Sequence, residues 1–595
     1  MSGARKLIPE PILLAAWTGL AAGLVETLLL GVQKFAFHRL VFLSADALWM
    51  PAVADFGFFL IPGLVLWLVA RARGMTSRAL WFGVCAYLFV QSVLFMYKPL
   101  HKGAAMLIAL GLAVQCARRL PARGDRIVRI ARRTLPLLFG LVLVLAVGLH
   151  VGQGISERRK LAALPPAPHT PNILLLILDT TRALELGLYG YERNTSPGID
   201  RLARSGVTFD RAFATAPWTL PSHASIFTGH LPTDFNADWN IPLDGRRATV
   251  AEALASHGYA TAGFVANTIY ATREMGLDRG FIHYEDHPLS LAQTIKSSTL
   301  GRALAGRFFR TLFDDYKPLA HKDAAEVNHE FTRWLDSNQG RPFFAFLNYF
   351  DTHSPYVPRA PFDGRFGPTS PRTNIPLDPQ TDWSAEQIAL QRNAYDACMA
   401  YMDSEIDSLF TELGRRGILS NTVVILTADH GEEMHEHGVM DHGNSIYRPA
   451  VQVPLIIMYP GHVPEGVRVS TPVTLRDLTQ TMSEYAGLDA TLFPGRSLER
   501  LWTRDSTAGG ADTLVTMLSP TPGLPLSYPA AKERLASIVL GKWRYIRGPG
   551  KQEQVFDVDT DRFEAHDLVA TPEGVQALPG LRAALDRVTN GWMTK

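Results

Sequence analysis

The residues best suited to chemistry lie between Ala216 and Gly229, in the run Ala-Pro-Trp-Thr-Leu-Pro-Ser-His-Ala-Ser-Ile-Phe-Thr-Gly. Thr219 precedes Leu-Pro-Ser and a helix-compatible stretch, which predicts its hydroxyl at a strand-to-helix turn. Backbone N–H groups at such a helix start favour an anion. Alone, Thr-x-Pro-Ser reads equally well as a helix cap. Two distant segments bear on the choice. Asp179 ends the apolar run Asn172 to Leu178, and Asp429-His430-Gly431 ends a second, Thr422 to Ala428. Two carboxylates, a hydroxyl and an imidazole could converge on one divalent ion. An alcohol is too weak an acid to attack at neutral pH; coordination makes it an alkoxide, and the same ion neutralises charge on the transferred group. The alternatives for Asp179 are a helix cap or a buried partner for Arg182. For Asp429 and His430 together a purely structural role is harder to sustain, because two polar groups at the end of a hydrophobic strand are expensive to bury. The cysteines are only Cys85, Cys116 and Cys398, with no Cys-x-x-Cys, so neither a disulfide framework nor a thiolate metal knuckle is expected.

These residues need a scaffold that brings them together. A third apolar run, Pro342 to Phe350, leads into Asp351 and His353. Short all-apolar runs bounded by polar loops predict strands covered on both faces, and open α/β sheets place their sites at the strands' C-terminal ends. Helical spacing appears over 196–205, 249–257, 324–338 and 384–416, so strands alternate with helices and a mostly parallel, three-layer sheet follows. The Met and aromatic stripe within Tyr395 to Asp407 reads as core packing. Near the end, 537–546 and 553–558 read as a hairpin of a small antiparallel subdomain. The stretch 288–322 reads as an insertion near the substrate or membrane face.

At 595 residues the chain is long enough for at least two folding units. The first 155 residues contain five candidate membrane spans, about 11–32, 48–70, 79–97, 103–117 and 134–152, the fourth being short. A cleaved signal peptide competes for the first. Twelve Lys and Arg fall in one set of alternate loops, seven of them between Arg118 and Arg133, against four in the other set, Lys34, Arg39, Lys98 and Lys102. This bias predicts a cytoplasmic N-terminus and a head exported across a cell membrane, with one spurious span reversing the result. The Pro-rich stretch 164–171 suits a stiff spacer. The expected domains are therefore a transmembrane domain (1–155), a linker (156–170), an α/β catalytic domain (171–515) and its C-terminal subdomain (516–595). The net charge is +2, which gives no reason to expect nucleic acid as a partner. A transport function has little support, Glu26 and Asp55 being the ionisable residues deep in the spans.

Asp179 after its strand, Gly187 to Tyr191, Thr195 to Ala203, the Thr-x-Pro-Ser-x-x-Ser-x-x-Thr-Gly block and Ala428 to Glu432 together resemble the sulfatase family of the alkaline phosphatase superfamily. His353 to Tyr356, Glu436 to Gly438, Val453 to Ile457, Arg544 to Arg547 and Val555 to Asp561 extend the likeness over about 171–570, in the family's order. The resemblance implies an alkaline-phosphatase-like α/β fold and a divalent metal, whether Zn, Mn, Ca or Mg. Two departures stand out. Sulfatases carry a Cys or Ser, matured to formylglycine, where this chain has Thr219, and Arg where it has His223; threonine cannot form that aldehyde. They also pair two acids after the first strand, whereas Thr180 replaces the second here. The set Asp179, Thr219, Asp429 and His430 is similar to the metal site of Thr-dependent relatives, among them phosphoethanolamine transferases and lipoteichoic-acid synthases, which also share a five-span anchor. By that resemblance Thr219 would be both nucleophile and metal ligand. His353, His437 and His442 would bind anionic oxygens or protonate the leaving group, and Ser222 and His223 would contact substrate. Lys322 and Arg448 are further conceivable contacts.

The expected activity is cleavage or transfer of a phosphate or sulfate ester on an anionic substrate, such as a lipid head group or envelope glycan, at the surface of the lipid bilayer. The alternatives are a sulfuric ester hydrolase acting through unmodified threonine and a degenerate relative serving as a binding scaffold.

Overall fold

A computed structural model describes residues 8–74, 77–167, 169–304, 322–338, 340–369, 383–503, 514–524, 526 and 528–594. The chain divides into two compact units, Met1–Arg159 with His287–Ala320, and Lys160–Asp286 with His321–Lys595.

In the first unit the apolar runs form α1 (Glu10–Phe35), α2 (Met50–Arg73), α3 (Arg78–Leu94), α4 (Lys102–Arg119) and α5 (Gly124–Ala162). Among the described residues, three stretches are long and apolar enough to cross a membrane, namely α1, α2 and the continuous Lys102–Ala162 segment; α3, at 17 residues, is shorter. Five helices therefore stand where five spans are expected, but fewer stretches meet the length and hydropathy of a full crossing. Helix α5 also runs through Ala162, so the first part of the expected linker is helical. Small residues let α1 and α2 approach closely: a Cβ on Gly23 would lie 2.3 Å from Ala52 Cα, and one on Gly19 2.7 Å from the Asp55 carbonyl oxygen. The described part of the 288–322 insertion belongs to this unit. Its short helices Leu291–Ser297 and Thr299–Leu304 meet at a turn where the Ser298 hydroxyl donates to Asp55 (2.6 Å) and the Thr299 N–H donates to Glu26 (2.7 Å). Both carboxylates are fully buried. Residues 305–321 lie outside the described set.

The second unit is built on an eight-stranded sheet of β1 (Asn172–Leu178), β2 (Val207–Phe209), β3 (Ala260–Val265), β4 (His283–Glu285), β5 (Phe343–Tyr349), β6 (Thr422–Thr427), β7 (Leu455–Met458) and β8 (Val467–Val469). Their spatial order is β8-β2-β7-β6-β1-β5-β3-β4, and β7 alone runs against the rest. Strands β3, β5 and β6, and β1 from Ile173 onward, are buried throughout, which is why each is almost continuously apolar. The helices that matter for the site are α6 (Thr219–Thr228), α7 (Ala324–Ser337) and α8 (Ala385–Arg415). Capping boxes begin α7 and α8, pairing Asp323 with Glu326 and Ser384 with Gln387.

A four-stranded antiparallel sheet follows: β9 (Leu514–Leu518), β10 (Leu535–Leu540), β11 (Trp543–Arg547) and β12 (Glu553–Asp557). It opens with a strand two residues before the expected boundary at 516. Leu578, Leu581 and Leu585 of α9 (Pro572–Thr589) pack on its Val515, Met517, Ile538 and Val555. The fold is the expected one, a helical N-terminal part apolar enough for membranes and an α/β domain with a mostly parallel sheet and an antiparallel C-terminal sheet.

Candidate metal and catalytic site

Strands β1 and β6 are parallel neighbours, so the residues following them emerge side by side, Asp179 directly after β1 and Asp429 and His430 just past β6. The third partner is the start of α6. Its N-cap, Trp218, is extended and offers no side-chain cap, and Thr219 is the first helical residue. Thr219 Oγ1 lies 3.4 Å from His430 Nε2 and 3.5 Å from Asn267 Nδ2. Asn267 Nδ2 donates to Asp179 at 2.9 Å, and Asn348 Nδ2 lies 3.3 Å from the same carboxylate oxygen. His430 Nε2 is 3.4 Å from Asp429 Oδ2.

All four expected ligands are buried. Arg182 does not partner Asp179; its guanidinium pairs with Glu185 at 2.7 Å and Glu436 at 2.5 Å. Asp179 Oδ1 and Asp429 Oδ2 are buried without a hydrogen-bond partner. His430 Nδ1 donates to the Gly431 carbonyl at 2.9 Å, which fixes the tautomer and leaves the Nε2 lone pair beside Thr219. One ligand atom from each of Asp179, Asp429 and His430 lies within 4.8 Å of the others. Burial, then the Asp429 charge, raises Asp179 to about 7, and burial raises Asp429 to about 7. Burial, reinforced by the His442 cation, lowers His430 to about 3. Two carboxyls that resist carrying adjacent charges, beside an imidazole that resists protonation, form a donor set suited to a divalent cation.

Backbone geometry supports this arrangement. A Cβ on Gly431 would lie 2.1 Å from the Pro449 carbonyl oxygen, so only glycine allows the loop after His430 to pack there. Thr180, which stands where sulfatases have a second acid, holds φ 57°, a strained conformation for a β-branched residue. Its N–H points at Asp429 Oδ1 (3.3 Å), while its hydroxyl donates to the Thr352 carbonyl (2.8 Å), away from the carboxylates.

The histidines divide. The His353, His430 and His442 rings gather, with His442 4.8 Å from His353 and 4.7 Å from His430 between centroids. His442 Nδ1 is 2.7 Å from Asp441 and 3.1 Å from Glu432. Burial alone would lower it, but Asp441 and then Glu432 hold it well above the usual range. Burial and the nearby His442 push His353 well below its usual range. One ring is thus kept cationic and its neighbour neutral. Trp218 closes one side, its ring 3.6 Å from Trp239, 4.7 Å from Tyr270 and 5.4 Å from His442.

His437 differs from this pair: it stacks on Tyr447 with its nitrogens near Glu433 (3.1 Å) and the Glu564 carbonyl (3.3 Å). Ser222 and His223, expected to contact substrate, both make internal hydrogen bonds. The Ser222 hydroxyl donates to the Asp429 carbonyl (2.6 Å), and His223 Nδ1 donates to the Thr219 carbonyl (2.8 Å) with its ring edge-on to Phe227 and Phe346. Lys322 and Arg448 are likewise engaged elsewhere. Lys322 holds Glu330 and the Glu285 carbonyl, both at 2.7 Å; Arg448 holds Gln452 and the Val558 carbonyl. Sequence reasoning gives no role to Asn267, Glu432 or Asp441. For Asn267 a signal existed, because Ala260–Val265 is another apolar run ending near a polar residue. Asp441 directly precedes His442 in the sequence, and the fold brings Glu432 to the same ring.

Comparison with known proteins agrees with this geometry. The family model described as Sulfatase matches residues 171–488. A sulfatase of Formosa agariphila is 23% identical over 466 residues, covering 71% of this chain and 87% of that protein. A choline-sulfatase of Rhizobium meliloti is 25% identical over 474 residues, covering 71% and 87%. Among solved structures, the phosphonate monoester hydrolase of Agrobacterium radiobacter is similar in fold with a TM-score of 0.55 at 20% identity, covering 70% of this chain and 96% of that one. Buried carboxylates and an imidazole meeting at strand ends of this sheet, within a segment that the family model spans almost from its first residue, make the chain a member of the sulfatase family and an ester hydrolase of that family's kind.

Proposed function

We propose that this enzyme cleaves or transfers a phosphate ester through Thr219, with Asp179, Thr219, Asp429 and His430 holding a divalent cation. The observation that carries the proposal is the meeting of the Thr219 hydroxyl with His430, and through Asn267 with Asp179, at two buried carboxylates with unpartnered oxygens. A bound cation would lower the pKa of the alcohol and offset the negative charge of the group transferred. Thr219 then loses its hydroxyl proton to solvent, forms a bond from Oγ1 to phosphorus, and the bond from phosphorus to the leaving oxygen breaks. His442, held cationic by Asp441 and Glu432, is placed to bind an anionic oxygen or return a proton to the leaving group. His353 beside it supplies a neutral imidazole. Water or an acceptor alcohol then attacks phosphorus and frees Thr219, its own proton replacing the one lost.

Phosphorus is favoured over sulfur because threonine, with a methyl group on Cβ, cannot be matured to the aldehyde nucleophile of sulfatases. The names of the relatives motivate the second reading, sulfate ester hydrolysis. We place the catalytic unit outside a cell membrane: the twelve-to-four loop bias argues for a cytoplasmic N-terminus, and the apolar helices supply an anchor. Tethering raises the effective concentration of a membrane-borne substrate, so a lipid head group or an envelope glycan is the substrate class proposed.

Aryl phosphodiesters and aryl sulfates offered to purified protein separate the two chemistries. Phosphodiester turnover is expected, with a phosphoryl adduct on Thr219 in intact-mass spectra and none in Thr219→Ala. Sulfate turnover alone, abolished by the same substitution, would overturn the phosphoryl reading.

A further inference from the structure

The helical N-terminal unit carries an open cavity of about 440 Å³ whose walls have two distinct chemistries. Leu30, Phe42 and Phe95 present hydrocarbon, while Lys98, Lys102 and Arg302 present cations. No Asp or Glu lines the cavity among the described residues. Arg302 is partly engaged, 3.2 Å from Glu26 and donating to the Lys296 and Ser297 carbonyls. Lys98 and Lys102 are exposed, and neither forms an ion pair among the described residues.

The cavity is formed by the C-terminal end of α1, the loop after it, the end of α3 and the start of α4. It therefore lies at the end of the helices, where hydrocarbon gives way to head groups. The turn that contributes Thr299 and Arg302 is anchored by the Glu26 and Asp55 carboxylates, so this wall is built rather than incidental. A small soluble anion would leave the aromatic and aliphatic wall wet. A neutral apolar molecule would leave two lysines without a counter-charge.

We propose that this cavity binds a bilayer phospholipid whose head group is net negative, its phosphodiester between Lys98, Lys102 and Arg302 and its proximal chain against Leu30, Phe42 and Phe95. The cavity shares no lining residue with the candidate catalytic set, and the proposal does not depend on the reaction assigned to that set.

The test uses the full chain in mild detergent, stripped of lipid and titrated with phosphatidylglycerol or phosphatidylcholine under native mass spectrometry. Lys98→Ala/Lys102→Ala is compared with Arg132→Ala/Arg133→Ala, a control pair that is also exposed and basic but does not line the cavity. The expected result is preferential retention of phosphatidylglycerol, weakened roughly tenfold or more by loss of the two lysines and unchanged in the control. Equal retention of the two lipids, no effect of the lysine pair, or equal loss in both variants would overturn the proposal. So would full displacement by inorganic phosphate, since the acyl chain would then contribute nothing. All four substituted residues are exposed, so unchanged circular dichroism is expected in both variants.

Discussion

Thr219 acquires chemical value from its neighbours. Its hydroxyl faces His430 Nε2, whose lone pair is directed by the Nδ1 bond to Gly431, and it shares the Asn267 amide with Asp179. Removing one carboxylate charge while keeping its shape should therefore abolish cation binding without unfolding the domain. Asp429→Asn is expected to lower the divalent metal content by tenfold or more in elemental analysis, with activity falling in parallel. A wild-type preparation with no stoichiometric metal would favour the scaffold alternative. Asn267→Ala should keep all four candidate ligands in the chain but free two of them, Asp179 and Thr219, to reorient, costing about 10- to 100-fold in kcat/KM with little change in thermal stability.

At the level of elements, the C-terminal sheet is fastened behind the site by one buried ion pair. Arg544 on β11 donates to both Glu564 oxygens at 2.5 and 2.6 Å, and Glu564 also accepts the Arg448 N–H at 2.8 Å, next to the segment that carries His442. Arg544→Ala would leave a buried carboxylate uncompensated and should destabilise the domain by about 3–5 kcal/mol, measured by denaturant unfolding. Arg544→Met/Glu564→Leu, which removes both charges, should recover much of that loss. A second tie is pH-dependent. Arg582 on α9 pulls the Glu553 carboxyl of β12 down to about 2, against opposing burial, from an ordinary value of 4.5. A depressed carboxylate stabilises the fold above its unfolded value and loses that contribution as pH falls through the folded one. Hydrogen exchange in α9 should therefore be faster in Glu553→Gln than in wild type at pH 5–7. The difference should narrow below pH 4.5 and vanish near pH 2. A pH-independent difference would show that the charge is not its source.

For the whole molecule, the division into two units carries its own test. The insertion leaves the catalytic unit after Asp286 and returns at His321, and its ends are close: Lys322 Nζ donates to the Glu285 carbonyl at 2.7 Å. A short Gly-Ser linker can bridge such a gap at small entropic cost. Residues 160–595 with 287–320 so replaced should fold as a soluble protein and turn over soluble aryl esters at a kcat within about tenfold of the full chain, because no proposed reacting group lies in the part removed. Loss of activity towards lipid-linked substrates alone would show what the apolar N-terminal helices add. The sequence by itself determined the elements whose signal is local. Continuous apolar runs marked β1, β5 and β6 because strands buried on both faces cannot alternate, capping residues marked the starts of α7 and α8, and long hydrophobic stretches marked the N-terminal helices. Acids and an imidazole ending two such strands were enough to assemble the candidate ligand set, since parallel neighbours deliver their ends to one edge. Only the tertiary structure decided the rest. It turned Ser222 and His223 inward, engaged Lys322 and Arg448 elsewhere, brought Asn267 to Asp179, gathered Glu432 and Asp441 on His442, and joined 287–304 to the apolar N-terminal helices. The contacts of Ser222 with Asp429, Asn267 with Asp179 and Arg448 with Val558 join surfaces far apart in sequence, and even near ones such as Asp441 with His442 take side-chain directions set by packing and hydrogen-bond satisfaction, which no local pattern encodes.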